Sequence, residues 1–480
     1  MSTCRVAYVH SRELLSVADD LPANEGRASL IHELLSSSGL LQDGQGDDNT
    51  GLGQGARARV VKPREVTRDE LCRFHDPCYI DAILGREEDA LSSSSDESGS
   101  SSRSASSEPS FSLSRTTRAG SPSRKRTKTL SSHSLGLKDD CPTFPSLPSY
   151  ARLVAGASMT AARLLRDGEA DVAISWTGGR HHGKRGEASG FCYVNDIVLA
   201  IMELRTAPKP SPSSTPSTPS SPSTCDAPPK PPPSKPKRLS RILYVDLDLH
   251  HGDGVEYAFF TTPSCLTLSL HLHAPLFFPS TGALSSAGPS NPKAPGALHA
   301  LNVALEPGLG GESLERVWES CVEKVKKEYE PDAVVLQCGV DGLSGDPCKE
   351  WNIPLLAFGS CVSRALAWNL PTLLLGGGGY NHPNAARAWT YLTSIALNRP
   401  LPLSTSLPAS LSPATFSALS ASSGLELDVP ASFGVRDRNT DETLRRVEEA
   451  FARYAEGLRE RYAKKKEKGK AGAAKQGGDV

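Results

Sequence analysis

The sequence predicts an α/β protein: a three-layer fold with a large, mainly parallel, roughly eight-stranded sheet flanked by helices. Three observations carry this. Short, almost wholly apolar runs recur along the chain, as in strands buried on both faces. They alternate with longer segments of helical spacing, which makes the connections crossovers. Histidines, aspartates and a tyrosine gather just after several of the runs, where open parallel sheets place their sites, at the carboxyl ends of strands.

Taken in order, residues 4–9 read as the first strand. Helical spacing follows over 28–35. Residues 39–55 are polar and glycine-rich, hence a loop, and 57–61 are a second strand. Thr67-Arg68-Asp69-Glu70 has the Thr-x-x-Glu pattern that starts a helix. Asp76-Pro77 starts the next, which carries Tyr79, Ile80 and Ile83. A helix is predicted over 149–165, with Ala155, Gly156 and Ala157 allowing close packing. A strand over 171–176 and a buried helix over 195–204 follow. Further strands are predicted over 242–245, 265–270, 300–305, 332–337 and 371–375, and helices over 312–327, 356–368 and 385–397.

Two stretches break this rhythm. Residues 91–134 are serine-rich and nearly free of aromatics, and 206–238 are rich in Pro, Ser, Thr and Lys. Neither can bury enough apolar surface to offset its ordering entropy, so both read as disordered inserts. The basic cluster Ser123–Lys128 reads equally as a nuclear localisation signal or a solvated charge run; Lys235-Pro236-Lys237-Arg238 is a second basic patch. The motifs on either side of the inserts make sense only together. Residues 1–400 therefore read as one catalytic domain, 401–440 as a low-complexity linker, and 441–480 as a charged helix with a Lys-rich tail, solvated or bound to acidic surfaces.

Composition narrows the function. Lys plus Arg number 53 against 54 Asp plus Glu, so no overall field recruits nucleic acid. The 11 cysteines form no Cys-x-x-Cys pair, which fits a reducing compartment and speaks against a disulfide scaffold. The amino terminus has no secretory pattern and no apolar run reaches membrane-spanning length, so a soluble intracellular protein is expected.

The chemistry centres on RILYVDLDLHHGDG, residues 241–254. On a strand Asp246, Asp248 and His250 share one face. Buried together, two carboxylates and an imidazole call for a cation. Asp248 and His250 pair locally, and Asp341, just after a strand, is the natural third ligand. This set leaves zinc open positions for water and substrate, and also suits iron or manganese. His181-His182 sit in a glycine-rich loop, where one can act as general base on a water. Asp246 and Asp253 fit the need for acceptors that fix the tautomers. Tyr380, after Gly376-Gly377-Gly378-Gly379, can donate to a developing oxyanion. The missing Lys-Ser/Thr excludes a P-loop. Gly190-Phe191 and Phe277-Phe278 offer aromatic walls for a slot that suits an alkyl stem. Water, metal, base and oxyanion donor together describe hydrolysis of an amide.

These motifs, HHGKRGEASGFCYVND, ILYVDLDLHHGDGVE, SLH with FFPSTG, LQCGVDGLSGDP and LLLGGGGYN, resemble the zinc-dependent histone deacetylases, class I above all, within the arginase/deacetylase superfamily. The resemblance covers residues 4–400 apart from the inserts. It implies zinc ligands Asp248, His250 and Asp341, and a general base His182 oriented by Asp253. It pairs His181 with Asp246 and gives Tyr380 the carbonyl oxygen. It implies an acetyl-lysine tunnel lined by Gly190, Phe191 and Phe278, with Asp140 on the rim against the substrate backbone. Arg27 matches an arginine near the cavity at the tunnel base. Potassium is implied at Asp246, Asp248, His250 and Ser269, and His299 and Cys265 fall in the region of a second cation site. The chain departs from the family pattern at Arg180, where an apolar residue is usual, and at Cys348, where Leu or Met is usual, both expected near the tunnel mouth. The resemblance implies acetylated histone tails or other acetyl-lysine proteins as partners, a corepressor complex, no sequence-specific nucleic acid and no membrane. It implies residence in the nucleus, with the cytoplasm as alternative. Acetylated polyamines or other small amides are the competing substrates, and a vestigial scaffold the competing role.

Overall fold

The apolar runs form nine strands in a computed structural model that describes residues 4–42, 56–85, 135–208 and 238–476. They are β1 (Val6–Val9), β2 (Leu41–Gln42), β3 (Ala58–Val61), β4 (Val172–Ser175), β5 (Ile242–Asp246), β6 (Cys265–Leu272), β7 (Ala300–Leu305), β8 (Ala333–Gln337) and β9 (Thr372–Leu375). One sheet holds them in the order β2-β3-β1-β4-β9-β8-β5-β6-β7. Every pairing is parallel. All eight predicted strands are there. The ninth, β2, lies inside the stretch read as a loop: buried Leu40 and Leu41 carry it onto β3 at the sheet edge.

Strand alternation divides the core into two faces. From β5, Leu243 and Val245 join one apolar cluster, Ile242 and Tyr244 the other. Helices Leu147–Arg166 and Asp196–Leu204 cover the Tyr244 face. Helices Arg27–Ser37, Leu355–Leu366 and His382–Ala396 cover the opposite face. A helical stretch from Gly311 to Tyr329, with a π-helical turn at Trp318–Glu323, joins them. Both faces of the sheet are therefore dry, as an all-parallel sheet requires.

Some helices were not apparent in the sequence. Arg12–Asp19 is capped by Ser11, and Asp253–Phe259 and Pro413–Ser423 also form. Residues 401–440 pack Leu407, Leu411, Leu419, Leu427 and Val429 into the main cluster. Buried Arg387 ties that segment down by donating to the carbonyls of Leu419, Gly424 and Glu426. Helix Asp441–Gln476 is not solvated all round. Leu444, Val447, Phe451 and Leu458 form an apolar stripe, fully or almost fully buried, while Arg316 pairs with Glu448 and Asp441. The helical period of four apolar residues outweighs the charge that surrounds them.

The basic cluster Ser123–Lys128 lies outside the described residues. So do Lys235, Pro236 and Lys237. Arg238 is described, and its Nε donates to the carbonyl of Arg205 at 3.2 Å, joining the two chain ends that flank residues 209–237. The ten cysteines among the described residues are free, and no described helix is long and apolar enough to cross a membrane.

Candidate active site

Four adjacent strands, β4, β9, β8 and β5, bring their carboxyl ends together. His181 and His182 follow β4, Tyr380 follows β9, Asp341 follows β8, and Asp246 ends β5 with Asp248 and His250 just beyond. The predicted residues thus come from distant sequence positions to one place because the strands run parallel and in register.

Asp248 and Asp341 are buried, and each gives one carboxylate oxygen to protein donors. Asp248 Oδ2 accepts from Gln337 Nε2 and from the backbone N–H of Gly378, both at 2.9 Å. Asp341 Oδ1 accepts from the N–H of Leu249 at 2.9 Å. The other oxygens turn to His250: its Nδ1 lies 3.0 Å from Asp341 Oδ2 and 3.3 Å from Asp248 Oδ1. Tetrahedral zinc with bonds of about 2.0–2.1 Å separates neighbouring donors by about 3.3 Å, which the two distances to His250 match. Two buried carboxylates side by side also need positive charge. Burial and the neighbouring Asp248 push the Asp341 carboxyl up. Burial pulls His250 down, but its hydrogen bonds to Asp248 and Asp341 outweigh it and raise it to about 10. Cys348 Sγ lies within 4.8 Å of the donor atoms of His250 and Asp341.

The two histidines each have a carboxylate behind them. His181 Nδ1 bonds Asp246 Oδ2 and His182 Nδ1 bonds Asp253 Oδ1, both at 2.8 Å. Asp246 is held in turn by the hydroxyl of Tyr244 at 2.5 Å and the N–H of Asp248 at 3.1 Å. The environments divide the pair. For His181 burial is outweighed by Asp246 and Asp248, which raise it to about 9. Burial and the adjacent His181 hold His182 down at about 3 despite Asp253. The two imidazoles are thus pushed in opposite directions, the separation that acid and base roles require.

The aromatic residues expected as walls gather around the histidines. His182 meets Phe278 edge-on at 4.8 Å between ring centroids, and Phe191 meets Tyr380 at 5.8 Å. Phe277 stacks on His250 at 5.1 Å. Gly190 has φ +53°, and a Cβ there would collide with His182 and Phe278, so only glycine lets this wall close. Asp140 Oδ2 accepts from the N–H of Gly190 at 2.7 Å, which ties the rim to the wall. Ser269, the register partner of Asp246, bonds His271 Nδ1 at 2.9 Å and receives Gly252 N–H at 3.4 Å. His299 bonds Ala297 O and the hydroxyl of Tyr462 through its two ring nitrogens, and Cys265 is buried at the start of β6.

Sequence reasoning missed several positioning groups. Gln337 donates to Asp248; its only signal was a polar residue closing an apolar strand. Asp346 accepts from the N–H groups of Cys348, Tyr380 and Asn381, fixing the tyrosine loop. Asp196 accepts from the N–H groups of Gly179 and Arg180, and Asn195 donates to Gly183 O, so the helix start anchors the histidine loop. His75 bonds Lys184 O through Nδ1 and receives Asn195 N–H on Nε2. Nothing in the sequence around His75 points to that role.

Fold and site define the class: an α/β protein with an all-parallel sheet, in which two buried carboxylates and an imidazole lie beside a carboxylate-backed histidine pair. The histone deacetylase domain matches residues 21–210 and 234–396, and the chain belongs to that zinc-dependent family. It is 35% identical over 399 residues to histone deacetylase 8 of Danio rerio, covering 83% of each chain. It is 34% identical over 395 residues to histone deacetylase 8 of Xenopus tropicalis, covering 82% of this chain and 84% of that one. Histone deacetylase 2 of Oryza sativa subsp. japonica is 35% identical over 83% of this chain and 62% of its own length.

Proposed function

We propose that this chain is a zinc-dependent protein lysine deacetylase that hydrolyses N6-acetyl-lysine, in histone tails above all, to lysine and acetate. The observation that carries the reading is the convergence of the Asp248–His250–Asp341 donor set with two carboxylate-backed histidines and Tyr380. Zinc held by those three side chains supplies Lewis-acid activation of water and of the acetyl carbonyl. His182, neutral and oriented by Asp253, takes the proton of the attacking water. His181, held by Asp246, stabilises negative charge and protonates the leaving amine. Tyr380 donates its hydroxyl to the carbonyl oxygen as charge develops there. Gly190, Phe191 and Phe278 line the alkyl stem, with Cys348 beside the metal end, and Asp140 holds the peptide backbone at the rim. Asp140 also favours a peptide over a free polyamine. Potassium at Asp246, Asp248, His250 and Ser269 would brace the same strand end. Action on histones fits residence in the nucleus and assembly with corepressors.

The test is turnover of an acetyl-lysine peptide panel, beside acetylated polyamines, with and without a chelator. Chelator-sensitive deacetylation of peptides is expected. Peptide turnover that survives complete metal removal would refute the assignment.

A further inference from the structure

Arg180 separates two cavities. It lines the catalytic pocket with His181, His182 and Tyr380. It also lines an adjoining cavity with Asn24, Arg27, Trp176 and Thr177. Both arginines are buried, at 3% exposure for Arg27 and 5% for Arg180. Arg27 is engaged: it donates to the carbonyls of Gly379 at 2.8 Å and Gly377 at 3.1 Å and lies over the Trp389 ring. The Arg180 guanidinium donates from Nη2 to Thr177 O at 3.2 Å, and its Nε has no hydrogen-bond partner. Asn24 Oδ1 and Thr177 Oγ1, in the same lining, have none either. The hydroxyl can donate, and the amide can turn its nitrogen inward.

Burial disfavours the Arg180 charge, but Asp196 and other groups nearby outweigh it and raise Arg180. The buried carboxylate near Arg180 is Asp196, and it is taken by Ser158 Oγ and by the N–H groups of Gly179 and Arg180. No ion pair joins Arg27 or Arg180 among the described residues. Arg27 is pulled down to about 9 by burial and by repulsion from Arg180. Two buried cations and three orphaned polar atoms around one space are costly unless an anion enters it. Because Arg180 also faces the reacting centre, the natural visitor is the far end of the acyl group.

We propose that Arg180 and Arg27 receive the terminal carboxylate of a short dicarboxylic acyl group, making malonyl-lysine and succinyl-lysine substrates of this site. The proposal rests on the lysine deacylation read above. The free space is small, about 10 Å³ beside the arginines and about 20 Å³ in the catalytic pocket, which limits the acyl group to a short one. The reaction balances as the acetyl one does. The water oxygen joins the acyl carbon and the carbon–nitrogen bond breaks. A water proton passes by way of the histidines to the lysine nitrogen, and the diacid leaves with lysine.

The test uses the purified full chain and one peptide carrying acetyl-, butyryl-, malonyl- or succinyl-lysine. Butyryl matches malonyl in reach without the charge and is one atom shorter than succinyl. At least one diacyl peptide should exceed butyryl in kcat/KM by roughly 10-fold or more, since a site built for a polar group rejects the analogue lacking it. Arg180→Leu should lower the diacyl-to-acetyl ratio by a similar factor, and Arg180→Lys should restore part of it. Acetyl turnover without malonyl or succinyl turnover overturns the proposal, as does a ratio unmoved by Arg180→Leu. If free malonate or acetate inhibits in an Arg180-dependent way while diacyl peptides are inert, the cavity holds released product and the proposal fails. An enzyme inert to all four peptides refutes deacylation itself. Should the variants not fold by thermal melting, the wild-type diacyl-to-butyryl ratio decides alone.

Discussion

Around Asp248 and Asp341 the carboxylates that face His250 have their other oxygens held by Gln337, Gly378 and Leu249. Around Arg27 and Arg180, one residue away in sequence from His181, three buried polar atoms have no partner. The first region has its geometry fixed in advance. The second has charge fixed in place and donors left free. Preorganisation of the metal donors lowers the cost of binding and keeps the reacting atoms aligned. Free donors in the neighbouring cavity leave the recognition of the acyl tail to whatever enters. The histidine loop joins the two regions, so substitutions can break one and spare the other.

The largest effect belongs to the donor set. Asp248→Asn removes a ligand charge and should abolish bound zinc and deacetylation together; elemental analysis showing full zinc in the variant would break the assignment. Next is Tyr380→Phe, which removes one oxyanion donor and should lower kcat by about 10²–10³ with the melting temperature little changed. Undiminished turnover in that variant would exclude Tyr380 from the chemistry. Gln337→Ala releases Asp248 Oδ2 without touching a ligand. Loss of such an outer partner typically costs about 10–100-fold in metal affinity, to be read by competition with a chelator. An unchanged affinity would mean that Gly378 alone holds the carboxylate.

The smallest effect concerns the loop between the regions. Burial lowers His75 to about 4, so it is neutral when folded. Its folded value lies below the unfolded one near 6.5, so the unfolded chain binds the extra proton first as pH falls. The stability from neutral His75 is complete above about pH 6.5 and is lost progressively as pH falls towards 4, up to about 3 kcal/mol. The melting difference between wild type and His75→Gln should therefore shrink between pH 7 and pH 5. A constant difference would show that His75 does not titrate with unfolding.

Much of this was legible in the chain. The eight longer strands announce themselves because a strand buried on both faces must be apolar throughout. Only β2 escaped, since two residues at a sheet edge carry too little pattern. Asp248 and His250 were legible because they follow at once on an apolar run, although β5 ends at Asp246 and does not reach them, and the histidine pair because glycines flank it. Gln337, Asp346 and His75 were not legible. Their roles arise from hydrogen bonds to residues far away in sequence, and a lone Gln, Asp or His has many uses. In helix Asp441–Gln476 the stripe Leu444, Val447, Phe451 and Leu458 was present in the sequence, but dense charge masked its period.

The bond from Arg238 to Arg205 has a practical meaning for anyone handling the protein. It clasps the chain where helix Asp196–Leu204 ends and just before β5 begins, at the amino end of the strand whose carboxyl end holds Asp246. A five-residue strand spans about 17 Å, so the clasp and the chemistry sit at opposite poles. A chain closed between two joined points lengthens cheaply, each doubling costing only about 0.6 kcal/mol. Arg205 and Arg238 are therefore suitable attachment points for a reporter, tether or affinity handle, at the end of β5 away from Asp246.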